Sequence, residues 1–388
     1  MKSLVLAEKP SVARDIARVL GCHKNISGAI EGSNYIVTWA LGHLVTLADP
    51  EEYDKKFKAW DMSYLPMVPK KWELVVIKQT SKQYHNVKTQ LFRKDVSEII
   101  IATDAGREGE LVARWILDKS GCHKPIRRLW ISSVTDKAIK EGFAHLKDGR
   151  AYNDLYHAAR SRAEADWLVG INATRALTCK YNAQLSCGRV QTPTLAMIAH
   201  REQQIRSFKP EDYYGLRCTT SVTGGSVGTM ASIVTWTWQQ KKSGSLRSFN
   251  KDLITGLDKK LKNQTLTVTD VHTSSKRTPS PGLYDLTELQ RDANKRFGFS
   301  AKETLNIMQS LYEHHKVLTY PRTDSRYIGT DIVPTIKERL KACNIGPYKK
   351  YIPELLKKPL KTSKAFVDDK KVSDHHAIIP TEEYVQME

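Results

Sequence analysis

The segment Leu318-Thr319-Tyr320-Pro321-Arg322-Thr323-Asp324-Ser325 sets a phenol beside a guanidinium, hydroxyls and a carboxylate. A tyrosyl oxygen suits attack on a phosphodiester that must later be reversed, because phenol, with a pKa of about 10, leaves phosphorus more readily than an alkoxide. Arg322 is suited to neutralise the non-bridging oxygens as charge develops there. The same octapeptide also reads as the end of a half-buried strand, Val317 to Tyr320, followed by a turn.

Two acidic segments offer a second kind of chemistry. Glu8-Lys9 follows the apolar run Ser3 to Ala7, and Asp104-Ala105-Gly106-Arg107-Glu108-Gly109-Glu110 follows the run Val96 to Thr103. If those runs are neighbouring strands of a parallel sheet, both sets of acids face one crevice, where clustered carboxylates are oxygen ligands for Mg²⁺. The alternative for the longer loop is a negatively charged helix start that complements the helix dipole without metal. A basic protein that gathers acids at two strand ends favours metal-assisted phosphoryl chemistry.

Ser186-Cys187-Gly188-Arg189-Val190-Gln191-Thr192-Pro193 supplies Ser, Arg and Gln donors of the kind that contact phosphate and sugar, or else a polar loop that caps the next helix. Arg160, Arg162 and Asp166 share one predicted helix and form either further strand contacts or a solvated charge pattern. His375-His376 precede an apolar run and offer a proton-transfer or phosphate-contacting group, or a surface pair.

These groups need elements to position them. Strands are predicted at Ser3 to Ala7, Tyr35 to Ala40, Val96 to Thr103 and Leu129-Trp130-Ile131. Helices are predicted from Pro10 to Leu20, closed by Gly21, then over Leu111 to Leu117 and Thr135 to Leu146. Residues 151 to 204 read as helical, Tyr213 to His272 as antiparallel β with Gly224-Gly225 at a turn, Asp285 to Lys316 as helix, and the remainder as a Lys-rich α segment. At 388 residues the chain exceeds the roughly 250–300 at which single cores stop growing, so two to four domains are expected. With 61 Lys+Arg against 42 Asp+Glu the net charge is +19, which points to a polyanionic partner. The six cysteines form no C-x-x-C pair and read as reduced thiols of a cytosolic protein. The apolar start is too brief for a signal peptide, and no run is long enough to span a membrane.

Taken in order, the blocks Glu8-Lys9, Asp104-x-Gly106-x-Glu108, Trp167 to Ala176, Leu185 to Leu195, Leu289 to Asn294, Leu318 to Ser325 and His375 to Thr381 resemble the type IA DNA topoisomerases, and within them the bacterial type III enzymes. The resemblance implies an α/β plus mainly-α multidomain fold: a Toprim-like α/β sheet over residues 1–150, the first part of a helical DNA-binding domain over 151–212, part of a β arch over 213–278, and a helical domain with the nucleophilic tyrosine over 279–388. It implies an ATP-independent isomerase that cleaves and reseals one strand of single-stranded or negatively supercoiled DNA through a 5′-phosphotyrosine, for relaxation or decatenation. Tyr320 is the implied nucleophile and Glu8 the proton carrier. Lys9 and Arg322 hold the charged intermediate, and His375 contacts the scissile region with Asp324 as orienting partner. Glu8, Asp104 and Glu108 bind Mg²⁺, with Glu110 in support. Arg162, Ser186, Arg189, Gln191 and Asp324 face the DNA. A monomer working in the bacterial cytoplasm at the nucleoid is expected.

Two departures qualify the implied activity. The family's acidic loop commonly reads Asp-x-Asp-x-Glu, and Gly106 here replaces the middle acid, which implies looser Mg²⁺ binding. Family members also continue past the His-x-Ala-Ile-x-Pro-Thr block, so the chain is expected to be a fragment or shortened form. The alternative function is then a single-strand-binding piece without complete strand passage.

Overall fold

The structure, a computed structural model, describes residues 1–222, 232–267, 269–270, 272–372 and 375–387. The expected Gly224-Gly225 turn and Ser373-Asp374 lie outside the described residues.

Seven strands form the main sheet: β1 (Lys2–Ala7), β2 (Lys24–Ile26), β3 (Ala29–Glu31), β4 (Tyr35–Trp39), β7 (Val96–Ala102), β8 (Ile126–Arg128) and β9 (Lys147–Asp148). Their order is β2-β3-β4-β1-β7-β8-β9. A separate ribbon pairs β5 (Val45–Leu47) with β6 (Leu74–Val76). The central strand β1 runs parallel to both β4 and β7, with Ala7 opposite Ala102. It is buried on both faces, as parallel strands covered by helices are. Leu4 and Leu6 enter one core with Ile36, Ile99 and Trp115; Val5 and Ala7 enter the other with Val12, Ile16, Val37 and Ile100. Each fully buried Leu or Ile there contributes about 1.5–3 kcal/mol relative to exposure.

The helices of this region are α1 (Pro10–Val19), α2 (Pro50–Tyr53), α3 (Ser81–Leu91), α4 (Arg107–Ser120), α5 (Asp136–Ala144) and α6 (Asn153–Tyr181). Pro10 at the first turn starts α1, where its missing N–H is harmless. Gly121 in the left-handed region stops α4. The short strands β2, β3, β5, β6 and β9 were not expected, and one expected strand is displaced. β8 lies three residues before Leu129-Trp130-Ile131, and its apolar signal is interrupted by Arg127 and Arg128, of which Arg128 is wholly buried.

Two compact units divide the chain, Met1–Arg189 with Ser280–Glu388 as the first and Val190–Pro279 as the second. The second unit contains α7 (Gln191–Arg206), the antiparallel pair β10 (Arg217–Val222) and β11 (Ser232–Thr237), and α8 (Lys251–Leu261), a helix inside the stretch expected to be β throughout. In the first unit, α9 (Leu286–Phe297) and α10 (Ala301–Glu313) replace the continuous helix expected over 285–316, because Gly298 turns left-handed between them. The short helices α11 (Ile336–Ala342) and α12 (Ile352–Lys357) follow. Val317 to Tyr320 is extended but lies outside any sheet. Leu318 bridges Pro380, the Thr319 N–H donates to Ile379, and the Tyr320 N–H donates to the Ser132 carbonyl at 3.0 Å.

Candidate active site

The parallel register of β1 and β7 brings the residues after Ala7 and Ala102 side by side, so the two acidic segments meet. The Asp104 N–H donates to Glu8 Oε2 at 3.1 Å. Gly109 lets α4 begin tight against this turn: a Cβ there would stand 2.0 Å from the Asp104 carbonyl oxygen, so no other residue fits. Arg128 fixes the turn from below. Its guanidinium donates to the carbonyls of Thr103 and Asp104 at 2.8 Å and of Leu129 at 2.6 Å, and pairs with Glu110 at 2.9 Å. Glu110 also pairs with Arg114 at 2.9 Å and is wholly buried. It therefore serves as the counter-ion of a structural clamp and not as a supporting metal ligand.

Tyr320 reaches this crevice from the opposite side. Its ring stacks on His375 with centroids 4.1 Å apart and meets Tyr312 edge-on at 5.4 Å, and its hydroxyl lies close enough to the Asp104 carboxylate for the two charges to couple. Alternation along the segment does the aiming. Thr323 and Ser325 are buried pegs that donate to the His375 and Lys371 carbonyls, while Arg322 and Asp324, which alternate with them, are exposed. His375 Nδ1 is buried with no hydrogen-bond partner, and the nearby Asp324 charge favours the imidazolium, though less than burial opposes it.

A cavity of about 310 Å³ is lined by Glu8, Lys9, Asp104, Glu108, Arg162, Tyr320, Arg322 and His375. The five expected catalytic residues, the three expected metal ligands and Arg162 thus share one space. Burial first, then the Asp104 charge, pushes the Glu8 carboxyl up to about 7. Burial likewise raises Asp104, and burial with the Asp104 and Glu8 charges raises the Tyr320 phenol. Burial, with His376 and Arg128 nearby, pushes His375 down to about 4, so its imidazole is neutral near pH 7. Lys9 Nζ is 2.5 Å from Glu313 Oε1.

No three carboxylate, thiol or imidazole groups converge as a ready metal cage among the described residues. The donor set nevertheless fits a divalent cation. Glu8 and Asp104 are adjacent carboxylates each driven toward protonation, and a cation would relieve both. Glu108 lines the same cavity but turns to His43 at 3.6 Å and Arg162 at 3.4 Å.

Arg189 pairs with Asp166 at 2.6 Å, and the loop holding Ser186 is tied to α6 by the Cys187 N–H donating to Thr174 Oγ1 at 2.9 Å. Gln191 opens α7 in the second unit. Sequence reasoning missed His43, Arg128, Tyr312 and Glu313. Of these only His43 carried a local signal, a Gly-His pair just past an apolar run, with Gly42 left-handed at φ 77°.

The DNA topoisomerase family profile matches residues 150–388, and that of the Toprim domain, a divalent-metal-binding fold, matches residues 3–134. DNA topoisomerase 3 of Bacillus cereus (strain ATCC 14579) is 64% identical over 384 residues, covering 99% of this chain and 51% of that protein. DNA topoisomerase 3 of Bacillus subtilis (strain 168) is 61% identical over 382 residues, covering 98% and 51%. The chain spans about half the length of the curated relatives it matches. Full-length topoisomerase I from Thermotoga maritima shares the fold, with a TM-score of 0.64 at 22% identity over 97% of this chain and 55% of that one.

Proposed function

The chain belongs to the DNA topoisomerase family, and from that premise we propose that its cavity carries out type IA strand transfer on single-stranded or negatively supercoiled DNA, without ATP. The observation that carries this reading is Tyr320 lining one cavity with Asp104, Glu8, Lys9 and Arg322.

In the proposed cleavage the Tyr320 oxygen bonds to phosphorus and the bond to the 3′ oxygen breaks, giving a 5′-phosphotyrosine and a free 3′-OH. The phenol loses its proton toward the neighbouring Asp104 carboxylate. Glu8, poised near pH 7, gives a proton to the departing 3′ oxygen and takes it back on resealing. Lys9 and Arg322 balance charge on the non-bridging oxygens. His375, neutral and stacked on the Tyr320 ring, fixes the ring's plane and carries no charge into the step. Glu8, Asp104 and Glu108 would hold Mg²⁺, which when bound supplies positive charge against the phosphate. Because the phosphotyrosine conserves the phosphodiester's energy, resealing is the reverse of the same step.

Residues 1–150 act as the Toprim domain, 151–212 and 279–388 as helical domains and 213–278 as part of an arch. Arg162, Ser186, Arg189, Gln191 and Asp324 follow the strand. We assign a monomer acting in the bacterial cytoplasm at the nucleoid. Among the described residues no helix is long and apolar enough to cross a membrane. The alternative reading is strand binding without completed passage.

The test is an oligonucleotide labelled at its 3′ end, incubated with protein and Mg²⁺ and then denatured. Label attached to protein, and lost in Tyr320→Phe, is expected. Binding without attachment favours the alternative reading, and attachment that persists in Tyr320→Phe overturns the assignment of the nucleophile.

A further inference from the structure

Lys9 lines the proposed reaction cavity, yet its ammonium is already committed elsewhere. It lies 2.5 Å from Glu313 Oε1, with the two side chains 32% and 14% exposed. Glu313 is the last residue of α10, the helix that leads into the Tyr320 segment. One turn earlier the Gln309 amide donates to the same Glu313 oxygen, while its own Oε1 is buried with no hydrogen-bond partner. Leaving a buried acceptor unpaired costs stability. Packing alone therefore gives no reason for this arrangement. Burial would raise the Glu313 carboxyl, but the hydrogen bonds from Lys9 and Gln309 outweigh it and hold the group below its usual range.

We propose that Glu313 is a positioning residue for the strand-transfer reaction: it anchors the Lys9 ammonium in the resting protein and yields it to the scissile phosphate when a strand enters. This rests on the function proposed above. The exchange replaces one charge-assisted hydrogen bond, ammonium to carboxylate, with another, ammonium to phosphate. Gln309 makes the exchange possible, because it keeps one donor on Glu313 after Lys9 has left. A second ion pair, Lys316 to Asp15 of α1 at 2.6 Å, joins the same two pieces of chain outside the cavity lining. The release of Lys9 therefore does not detach the tyrosine segment from the sheet.

The anchor is tested without DNA by brief acetylation of the folded protein, read by mass spectrometry with Lys316 as internal standard. Glu313→Gln is expected to raise Lys9 labelling several-fold over Lys316; unchanged labelling overturns the proposal. The competition is tested by anisotropy with a single-stranded oligonucleotide in EDTA. Glu313→Gln is expected to tighten binding roughly fivefold, the scale of one partly screened ion pair. Gln309→Met, which leaves the Glu313 carboxylate to Lys9 alone, shifts binding the opposite way. General loss of fold would weaken both variants. In a Lys9→Gln background the Glu313→Gln effect should vanish, and an equal effect there overturns the proposal. A protein that binds no oligonucleotide refutes the functional reading instead, while the labelling still decides the anchor.

Discussion

The two ends of the acidic turn after β7 hold carboxylates in opposite circumstances. Glu110, inside α4, is wholly buried and lies between two guanidinium groups, Arg114 and Arg128. Asp104, at the start of the turn, faces a second carboxylate, Glu8, and both are driven toward protonation. Burial is common to both ends and so does not mark the functional one. The partner does. A buried acid matched by a cation is part of the scaffold, whereas a buried acid matched by another acid is unfinished until a proton or a cation arrives.

The largest effect expected from breaking this contrast is at the matched end. Arg128→Met strips one of Glu110's two counter-ions and removes donors from the Thr103, Asp104 and Leu129 carbonyls at once. Truncating one member of a buried pair typically costs about 3–5 kcal/mol. Urea unfolding should show a loss of that size, and Tyr320 adduct formation should fall with it because the Asp104 backbone loses its support. A change under about 1 kcal/mol would mean that the clamp does not hold the turn, and the contrast would fail.

The opposite sign is expected at the unmatched end. The Glu8 carboxyl titrates near 7 in the folded protein, above its ordinary 4.5. Its raised proton affinity therefore favours the fold fully below about pH 4.5, and that advantage is lost as pH rises through 7. Glu8→Gln, which cannot ionise, should accordingly be more stable than the parent at pH 8 by on the order of 1–3 kcal/mol, and nearly equal to it at pH 4.5. Thermal melts in EDTA at the two pH values read this directly. A variant that melts lower at pH 8 would show that Glu8 is matched after all. Adduct formation should be lost at either pH.

This contrast explains what could be read in the sequence. The runs Ser3 to Ala7 and Val96 to Thr103 are apolar because both faces of β1 and β7 are covered, so the strands and the acids after them were visible. Their convergence needed only that the strands be parallel neighbours. The division of labour within Asp104 to Glu110 was not visible, because it depends on Arg128. That residue lies just outside the predicted strand Leu129-Trp130-Ile131 and is in fact the last residue of β8, tolerated there because Glu110 neutralises it. The family resemblance implied Asp324 as His375's orienting partner; in the fold Thr323 and Ser325 take the inward positions and Asp324 is exposed. Lys9 and Glu313 are 304 residues apart and carry no joint signal at all. What a sequence displays is periodicity along one element; charge matching between elements appears only once they have packed.

The smallest effect sharpens the contrast by adding a third acid to the unmatched end. Gly106 is extended, with φ 176° and ψ 177°, a φ that other residues adopt. A Cβ built on it meets only His375 Nε2, at 3.5 Å, an ordinary contact. Gly106→Asp should therefore fold, with its carboxylate beside His375 and near Glu8 and Asp104. In EDTA the added like charge should lower stability by about 1 kcal/mol or less. Mg²⁺ should restore more stability to this variant than to the parent, since a ligand stabilises in proportion to its affinity for the folded state. The same carboxylate favours the imidazolium, so His375, held near 4 in the parent, should titrate higher when its ring proton is followed by NMR. If neither the Mg²⁺ response nor the His375 titration moves, the side chain at 106 does not face the Glu8–Asp104 pair, and the loss of the middle acid has no bearing on how the cavity holds a cation.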